Sequence, residues 1–339
     1  MKASKKYSIS EVADMLGVAP STVSRALSGK KGVSEAQREK ILKLAAEIGY
    51  QPNGMRLENA AKNEKVIGMI LGDIRNPFYS KLVYHIQDFL KEQGYMVAVF
   101  NSEYDVRKEI QSLEMCEQFN AAGMILATAH SKEMEEKLSE EQLPMVLVNR
   151  ILPGYSGDSV IVDNFQAGYM AAMHLIDYNH TRIGFICGPG SSSASSQRFE
   201  GFKQAMRNLN LPLDEAFIFH TDLRLESGRR AAGEFLAKPG PRPTAMIAGN
   251  DMTAIGFMDI CRKSGVRIPE DLSIVSFDNI DFASVEGIQL SSIDHHVEEM
   301  SREVVRLLLK QIEGDRTHPE RIIIAPELII RGSSGRYNP

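Results

Sequence analysis

Two groups of side chains in this 339-residue chain are suited to recognition chemistry. The first is the run Ser21-Thr22-Val23-Ser24-Arg25. Hydroxyls suit phosphate oxygens, and an arginine fork suits the O6 and N7 acceptors of guanine. The second group is scattered: Asp73 to Phe78, Asn149-Arg150, Gln197 to Phe202, Gly249-Asn250-Asp251, Asp278-Asn279 and Asp294-His295-His296. Its carboxylates, amides and arginines can bond the hydroxyls of a neutral polyhydroxylated molecule, while Phe78 covers a C–H face. Other chemistries lack their residues. Gly188-Pro189-Gly190-Ser191-Ser192-Ser193 has no Walker lysine, so it is a loose phosphate cradle or a plain serine-rich loop. There is no Gly-x-Ser-x-Gly elbow. Cys116, Cys187 and Cys261 are odd in number and widely spaced, which gives no metal-ligand pattern and suits a reducing compartment. No metal, cofactor or enzymatic activity is expected.

The first group needs a scaffold of short helices. Ser8-Ile9-Ser10-Glu11 reads as a capping box that starts a helix through Leu16, and Gly17 can supply the positive φ that stops it. Pro20 fits the first turn of a second helix, where its missing N–H costs nothing. Val12, Ala13, Leu16, Val18, Val23 and Leu27 would hold the pair together, leaving Ser21, Thr22, Ser24 and Arg25 outward. A third helix opens with Ser34 to Gln37 as a second capping box and ends near Gly49-Tyr50. The pattern is a helix-turn-helix, although a ligand-free helical hairpin shares it. Charge favours the DNA reading. Residues 1–65 hold twelve Lys or Arg against seven Asp or Glu, a surplus of five positive charges in a chain of net charge −5. The remainder therefore carries ten negative charges, so one end seeks phosphate while the body avoids it.

Residues 51–65 are polar and weakly patterned, as in a linker. From Lys65 onward short apolar strands alternate with amphipathic helices. Strands are predicted at 65–71, 96–101, 123–128, 144–149, 159–163, 182–187, 216–221, 244–249 and 272–277. Helices are predicted near 77–93, 106–119, 132–141, 165–178, 196–209, 225–237, 251–264 and 298–313. The alternation predicts parallel sheets covered on both faces, and the number of elements favours two. Ligands bind outside the carboxyl ends of such strands, and that rule gathers the second group into one site. Each member also has a structural alternative. Asn76-Pro77 can simply start a helix, Arg198 and Asp278 can pair without ligand, and His295 can be a packed core residue. Either Asn250 or Asp251 must cap the helix from 251, and the expectation assigns Asn250 to ligand. His296 is expected to be structural or exposed.

Over almost its whole length the chain resembles the lactose-repressor/galactose-repressor family. The headpiece motifs are Thr22-Val23-Ser24-Arg25, Val33-Ser34, Arg38 and Gly49-Tyr50-Gln51-Pro52-Asn53. The body motifs are Asn76-Pro77-Phe78, Val162-Asp163-Asn164, Arg198 with Gly201-Phe202, Gly249-Asn250-Asp251, Ile268-Pro269, Phe277-Asp278-Asn279 and Ser291-Ser292-Ile293. The resemblance implies a small all-α helix-turn-helix headpiece (1–53), a hinge (54–64) and an α/β periplasmic-binding-protein-like body (65–339). That body would have two Rossmann-like subdomains, 65–162 with 294–325 and 163–293 with 326–339. By the same resemblance Pro20, Ser21 and Arg25 occupy base-reading positions, and Thr22, Ser24 and Asn53 lie near phosphates. Asn59 stands where a minor-groove leucine wedge is expected, so either Leu57 inserts or the duplex is bent less. Asn76, Phe78, Arg150, Arg198, Asn250, Asp278 and His295 are the effector-site positions. Asn149, His295 and Leu223 depart from the residues common in sugar binders of the superfamily.

The function expected is that of a cytoplasmic, nucleoid-associated transcriptional repressor that binds a pseudo-palindromic double-stranded operator as a homodimer. Only eight residues follow Arg331, too few for a heptad tail, so a dimer rather than a tetramer is expected. Its small hydrophilic effector would be a sugar or sugar derivative, with a nucleobase or a phosphorylated protein as alternatives in the same class. A sugar-binding transport component would share the body fold but requires export. The start lacks an apolar signal core, and no apolar run reaches membrane-spanning length.

Overall fold

A computed structural model describes residues 9–27, 32–47, 65–127, 132–141 and 143–338. Ser8, Gly49-Tyr50, Asn53, Leu57 and the expected hinge at 54–64 lie outside the described residues. Residues 1–65 and 66–339 form two compact units.

In the first unit α1 (Ile9–Leu16), α2 (Pro20–Leu27) and α3 (Glu35–Glu47) surround a small core. Gly17 takes φ +63°. That lets its N–H reach the Asp14 carbonyl at 3.3 Å and the Val18 N–H reach that of Ala13 at 3.1 Å, the paired bonds of a Schellman stop. Val12, Ala13, Val23, Ala26, Ile41 and Ala45 are buried, with Leu16, Val18 and Leu27 packed at the edge. The third helix thus closes the core through Ile41 and Ala45.

The second unit is built from alternating strands and helices. In chain order they are β1 (Val66–Leu71), α4 (Pro77–Glu92), β2 (Met96–Asn101), α5 (Val106–Gln118), β3 (Gly123–Ala127), α6 (Lys132–Glu140), β4 (Met145–Val148) and β5 (Asp158–Val162). Then come α7 (Asn164–Asp177), β6 (Ile183–Cys187), α8 (Ser193–Asn208), β7 (Ile218–His220), α9 (Leu225–Ala237), β8 (Ala245–Ala248), α10 (Asp251–Lys263) and β9 (Ser273–Phe277). The last elements are β10 (Ser291–Asp294), α11 (Val297–Ile312), β11 (Arg321–Ile324) and β12 (Glu327–Ile329).

The strands form two sheets, in the order β11-β5-β4-β3-β1-β2 and β12-β10-β9-β8-β6-β7. The first is parallel throughout, Ile67 lying between Val97 and Gly123. The second is parallel except where β12 runs antiparallel to β10. Strands buried on both faces read as continuous apolar runs, which is why β3, β4, β6 and β8 are so apolar. Among the described residues the chain passes between the lobes at Val162–Asn164, Asp294–Val297 and Ile324–Glu327.

Three strands escaped the sequence reading: β10, β11 and β12. Ser291 and Ser292 in β10 are fully buried because their hydroxyls are bonded, to Ser334 and to Asp251 respectively. A buried, satisfied serine leaves no apolar signature.

One packing detail positions the later site. Helices α7 and α8 cross so closely that a Cβ on Gly168 would lie 1.9 Å from the Arg198 carbonyl, and one on Gly201 would lie 2.0 Å from that of Phe165. Only glycine permits this approach, and it fixes the Arg198 backbone against α7. No helix among the described residues is long and apolar enough to cross a membrane.

Candidate functional site

The outward face of α2 carries the first set. Val23 and Ala26 point into the core, and Pro20, Ser21 and Arg25 are exposed. Ser21 and Arg25 are one turn apart and share a face. Thr22 and Ser24 are half-buried beside it.

The second set converges where the two lobes of the body meet. Asn76 caps α4, its Oδ1 accepting from the Phe78 N–H at 3.0 Å, and its Nδ2 donates across the cleft to Asp278 Oδ2 at 3.4 Å. Helix start and cleft contact are therefore the same residue's work. Phe78 is buried with its ring edge-on to His295, centroids 5.8 Å apart. Arg198, 5 % exposed, donates from Nε to Asn164 Oδ1 (2.8 Å) and from Nη1 to the Gly249 carbonyl (2.7 Å). Its Nη2 lies 3.2 Å from His295 Nε2, and Nη1 is 3.7 Å from Asp278 Oδ1. A guanidinium only donates, so His295 accepts at Nε2 and carries its hydrogen on Nδ1. Arg150 donates to the Tyr79 hydroxyl (2.8 Å) and the Asn149 carbonyl (2.6 Å). Further cross-lobe contacts run from Arg224 to Asp73 (3.2 Å) and from the Ile151 N–H to Ser193 Oγ (3.0 Å).

This wall contains buried polar atoms without a hydrogen-bond partner in the protein: Asn149 Oδ1, Arg150 Nε and His295 Nδ1. Such an atom costs about 1–3 kcal/mol when nothing bonds it. None of the three residues lines the interlobe chamber bounded by Asp73, Asn76 and Arg224, and His295 Nδ1 is also 3.6 Å from Asp278 Oδ1.

Burial pushes the Asp278 carboxyl up to about 6, against the pull of Arg198, the Asn76 hydrogen bond and Arg150. Burial, with the charge of Asp278, likewise lifts Asp251 to about 7, although Ser276, Ser292 and the Ile280 N–H bond its oxygens. Burial and then Arg198 hold His295 well below the usual histidine range, so it is neutral. Arg150 is desolvated, but the phenols of Tyr79 and Tyr104 and the charges of Glu109 and Asp278 keep it a cation.

The sign of the resulting pH dependence follows from linkage. The folded state holds the Asp278 proton between the ordinary carboxyl pKa of 3.8 and about 6, where the unfolded chain has released it. Asp278 therefore lowers stability progressively as pH rises through that window. The buried histidines act oppositely, losing stability as pH falls below 6.5. Comparing native protein with Asp278→Asn removes this carboxylate together with the part of the Asp251 shift that its charge causes. The variant's stability relative to native should rise by up to about 3 kcal/mol between pH 4 and pH 7, read from denaturant midpoints. A constant difference across that range would contradict the burial assigned to Asp278.

The expectation that Asp251 caps α10 is corrected: Asn250 is the cap, its Oδ1 accepting from the Thr253 N–H and its Nδ2 donating to the Leu223 carbonyl. Both polar ends are engaged and the residue is 1 % exposed. Asp251 is structural as well, tying β9, β10 and the loop at Ile280 together. His296 opens α11 at φ +49° and is half-buried.

Sequence reasoning passed over Tyr79, Tyr104 and Arg224. With Asp73, Arg75 and Asn76, the residues Tyr104, Leu223 and Arg224 line a chamber of about 420 Å³ between the lobes. A hollow of about 560 Å³ lies elsewhere, near Tyr155, Gln311 and Arg316. It sits at the amino ends of β4 and β5, where the buried Asp158 is already bonded by Gln311, Arg316 and the Glu320 N–H. The chamber at the carboxyl ends is the better site.

Residues 8–53 match the family model described as bacterial regulatory proteins, lacI family, and residues 172–334 match that of a periplasmic binding protein-like domain. The chain is 33% identical to the HTH-type transcriptional regulator DegA of Bacillus subtilis (strain 168), over 98% of this chain and 99% of that protein. It is 32% identical to the HTH-type transcriptional repressor CytR of Escherichia coli (strain K12), with the same shares covered. Among solved structures, a transcriptional regulator CelR–cellobiose complex superposes with TM-score 0.72 at 27% identity, covering 97% of this chain and all of that one. A LacI family transcriptional regulator from Enterococcus faecium with bound ribose gives TM-score 0.72 at 28% identity, covering 81% and 100%.

Proposed function

Because the chain belongs to the lacI family of bacterial regulatory proteins, we propose that it is a DNA-binding transcriptional repressor whose operator affinity is set by a small hydrophilic effector in the interlobe cleft. It is a regulator and not an enzyme. Ser21 and Arg25 read bases, assisted by Pro20, while Thr22, Ser24 and Asn53 hold phosphates and Leu57 is the candidate wedge. Asn76, Phe78, Arg150, Arg198, Asp278 and His295 hold the effector, and Asn250 shapes the wall through Leu223.

The observation that carries the effector reading is the polar chamber lined from both lobes at the carboxyl ends of the strands, with Asn76 in its wall and bonded to Asp278 of the other lobe. The effector is a sugar or sugar derivative in this reading. The cellobiose and ribose in solved relatives support that class.

The mechanism is a population shift. Among the described residues the lobes are joined by chain crossings and by polar contacts that include Asn76–Asp278 and Arg224–Asp73. A ligand bonded to both sides changes the balance between lobe orientations. In a dimer that change alters the separation of the two headpieces, and half-site geometry fits or fails. Exposed Tyr84 on α4 and Met96 and Val99 on the edge strand β2 give apolar contact area for the second copy.

The test is an operator titration by fluorescence anisotropy across salt. The account expects one dimer per pseudo-palindromic duplex and a log–log salt slope of roughly −5 to −9, as for 6–10 phosphate contacts. Equal affinity for unrelated duplexes at physiological salt would overturn it.

A further inference from the structure

We propose that the mouth of the cleft is an anion-binding subsite and that the effector carries a phosphate monoester there; this rests on the cleft being the effector site. The chamber's charged lining is Asp73, Arg75, Asp222, Arg224, Glu226 and Arg230. The acids are already engaged. Asp73 takes side-chain N–H bonds from Arg75 on both oxygens and a third from Arg224. Burial would raise its pKa, but these bonds and charges hold it below the ordinary value. Asp222 accepts from the Arg224 backbone N–H, and Glu226 is paired with Arg229, which is not part of the lining. The lining carries three guanidiniums and three carboxylates, and Glu226 takes its ion pair from Arg229, which Asp259 shares.

The surplus is in donors. Arg230 is exposed and makes neither a hydrogen bond nor a contact ion pair among the described residues; Asp222 feels it only through longer-range charge. Arg75 and Arg224 bond Asp73 through some of their N–H groups; Arg75 Nη2 also lies 3.9 Å from Glu103 and Arg224 Nη1 3.8 Å from Asp222, both beyond hydrogen-bond distance. The cations also approach from both sides, Arg75 from the first lobe and Arg224 and Arg230 from the second. Helix α9 opens at the same place, with Arg224 as its N-cap and Leu225 and Glu226 in its first turn, so its positive end adds to the field. The inner wall is the phenol of Tyr104, which burial keeps neutral. A carboxylate fills one guanidinium fork, whereas a phosphate monoester has acceptors for several at once. Bound here, it bridges Arg75 to Arg224 and Arg230 and so draws the lobes together.

The phosphate can come from a sugar phosphate or from a nucleotide, and the test separates them. Thermal melting of the full-length protein is measured with inorganic phosphate against chloride at equal ionic strength. Glucose 6-phosphate is compared with glucose, and adenosine 5′-monophosphate with adenosine. The expected result is stabilisation by phosphate beyond chloride, with at least one ester binding roughly tenfold or more tightly than its parent. The pair that shows the gap identifies the source. Arg230→Gln and Arg224→Gln should each narrow the gap by roughly tenfold; both residues are at the surface, so folding is not at stake. No phosphate effect beyond chloride, or an undiminished gap in both variants, would overturn the proposal. Operator binding by the native protein, measured alongside, separates the two levels. If it is present while the phosphate effect is missing, only this subsite fails, whereas its absence strikes the regulator reading itself.

Discussion

Arg25→Ala should cost each half-site about 1–3 kcal/mol of operator affinity, the worth of a bidentate arginine–guanine contact, and a dimer twice that. The effect should be specific. Affinity for an unrelated duplex falls only by the loss of one positive charge per headpiece, so discrimination between operator and random DNA collapses. Arg25 is exposed on the same face of α2 as Ser21, and the core beneath rests on Val23 and Ala26. The substitution therefore leaves the headpiece folded, which circular dichroism checks. Equal losses on operator and random DNA would reduce Arg25 to a phosphate contact and move base reading to another residue.

The second large effect is at Arg198. Its guanidinium bonds Asn164, Gly249 and His295, faces Asp278, and lies 4.6 Å over the Phe277 ring. Replacing it by alanine leaves Asp278 buried with its nearest cation gone, a change that costs about 3–5 kcal/mol. The variant should melt several degrees lower, still bind operator, and no longer respond to effector. Arg198→Lys separates stability from recognition: it keeps the charge but loses the planar fork. It should recover much of the stability while effector affinity stays reduced by about tenfold or more. A full effector response in both variants would remove Arg198 from the site and leave it as an internal brace.

These two residues differ in how far sequence alone could reach them. Arg25 needed only local rules: a stop at Gly17, proline at a first turn, and apolar spacing. Arg198 lies in the middle of α8, and only the packing of that helix against α7, through Gly168 and Gly201, brings its side chain to the strand ends of another layer. The edge strands β2 and β7 stay apolar although only partly buried, and the apolar strands β1, β3 to β6, β8 and β9 were legible because burial on both faces leaves runs of apolar residues. β10 was not, because its buried serines replace hydrophobicity with hydrogen bonds. Tyr104 reaches the chamber through a left-handed backbone at φ +62°, which no residue preference signals for tyrosine. Arg224 was hidden as an arginine at a helix N-cap, a position where short polar side chains are the rule. Asn250 and Asp251 show the limit of local reading. Either could cap α10, and the choice was made by distant Ser276 and Ser292, which bond Asp251 and leave the cap to Asn250.

The central claim is that the cleft and the headpiece are coupled through one equilibrium. The most direct measurement is operator affinity of the native protein, titrated with and without a ligand first identified by thermal shift, and ligand affinity titrated with and without operator. Linkage requires the two shifts to be equal in magnitude and sign. The account predicts a reciprocal change of about 5- to 150-fold, lost in Arg198→Ala. A ligand that binds the cleft tightly while leaving operator affinity unchanged would contradict it.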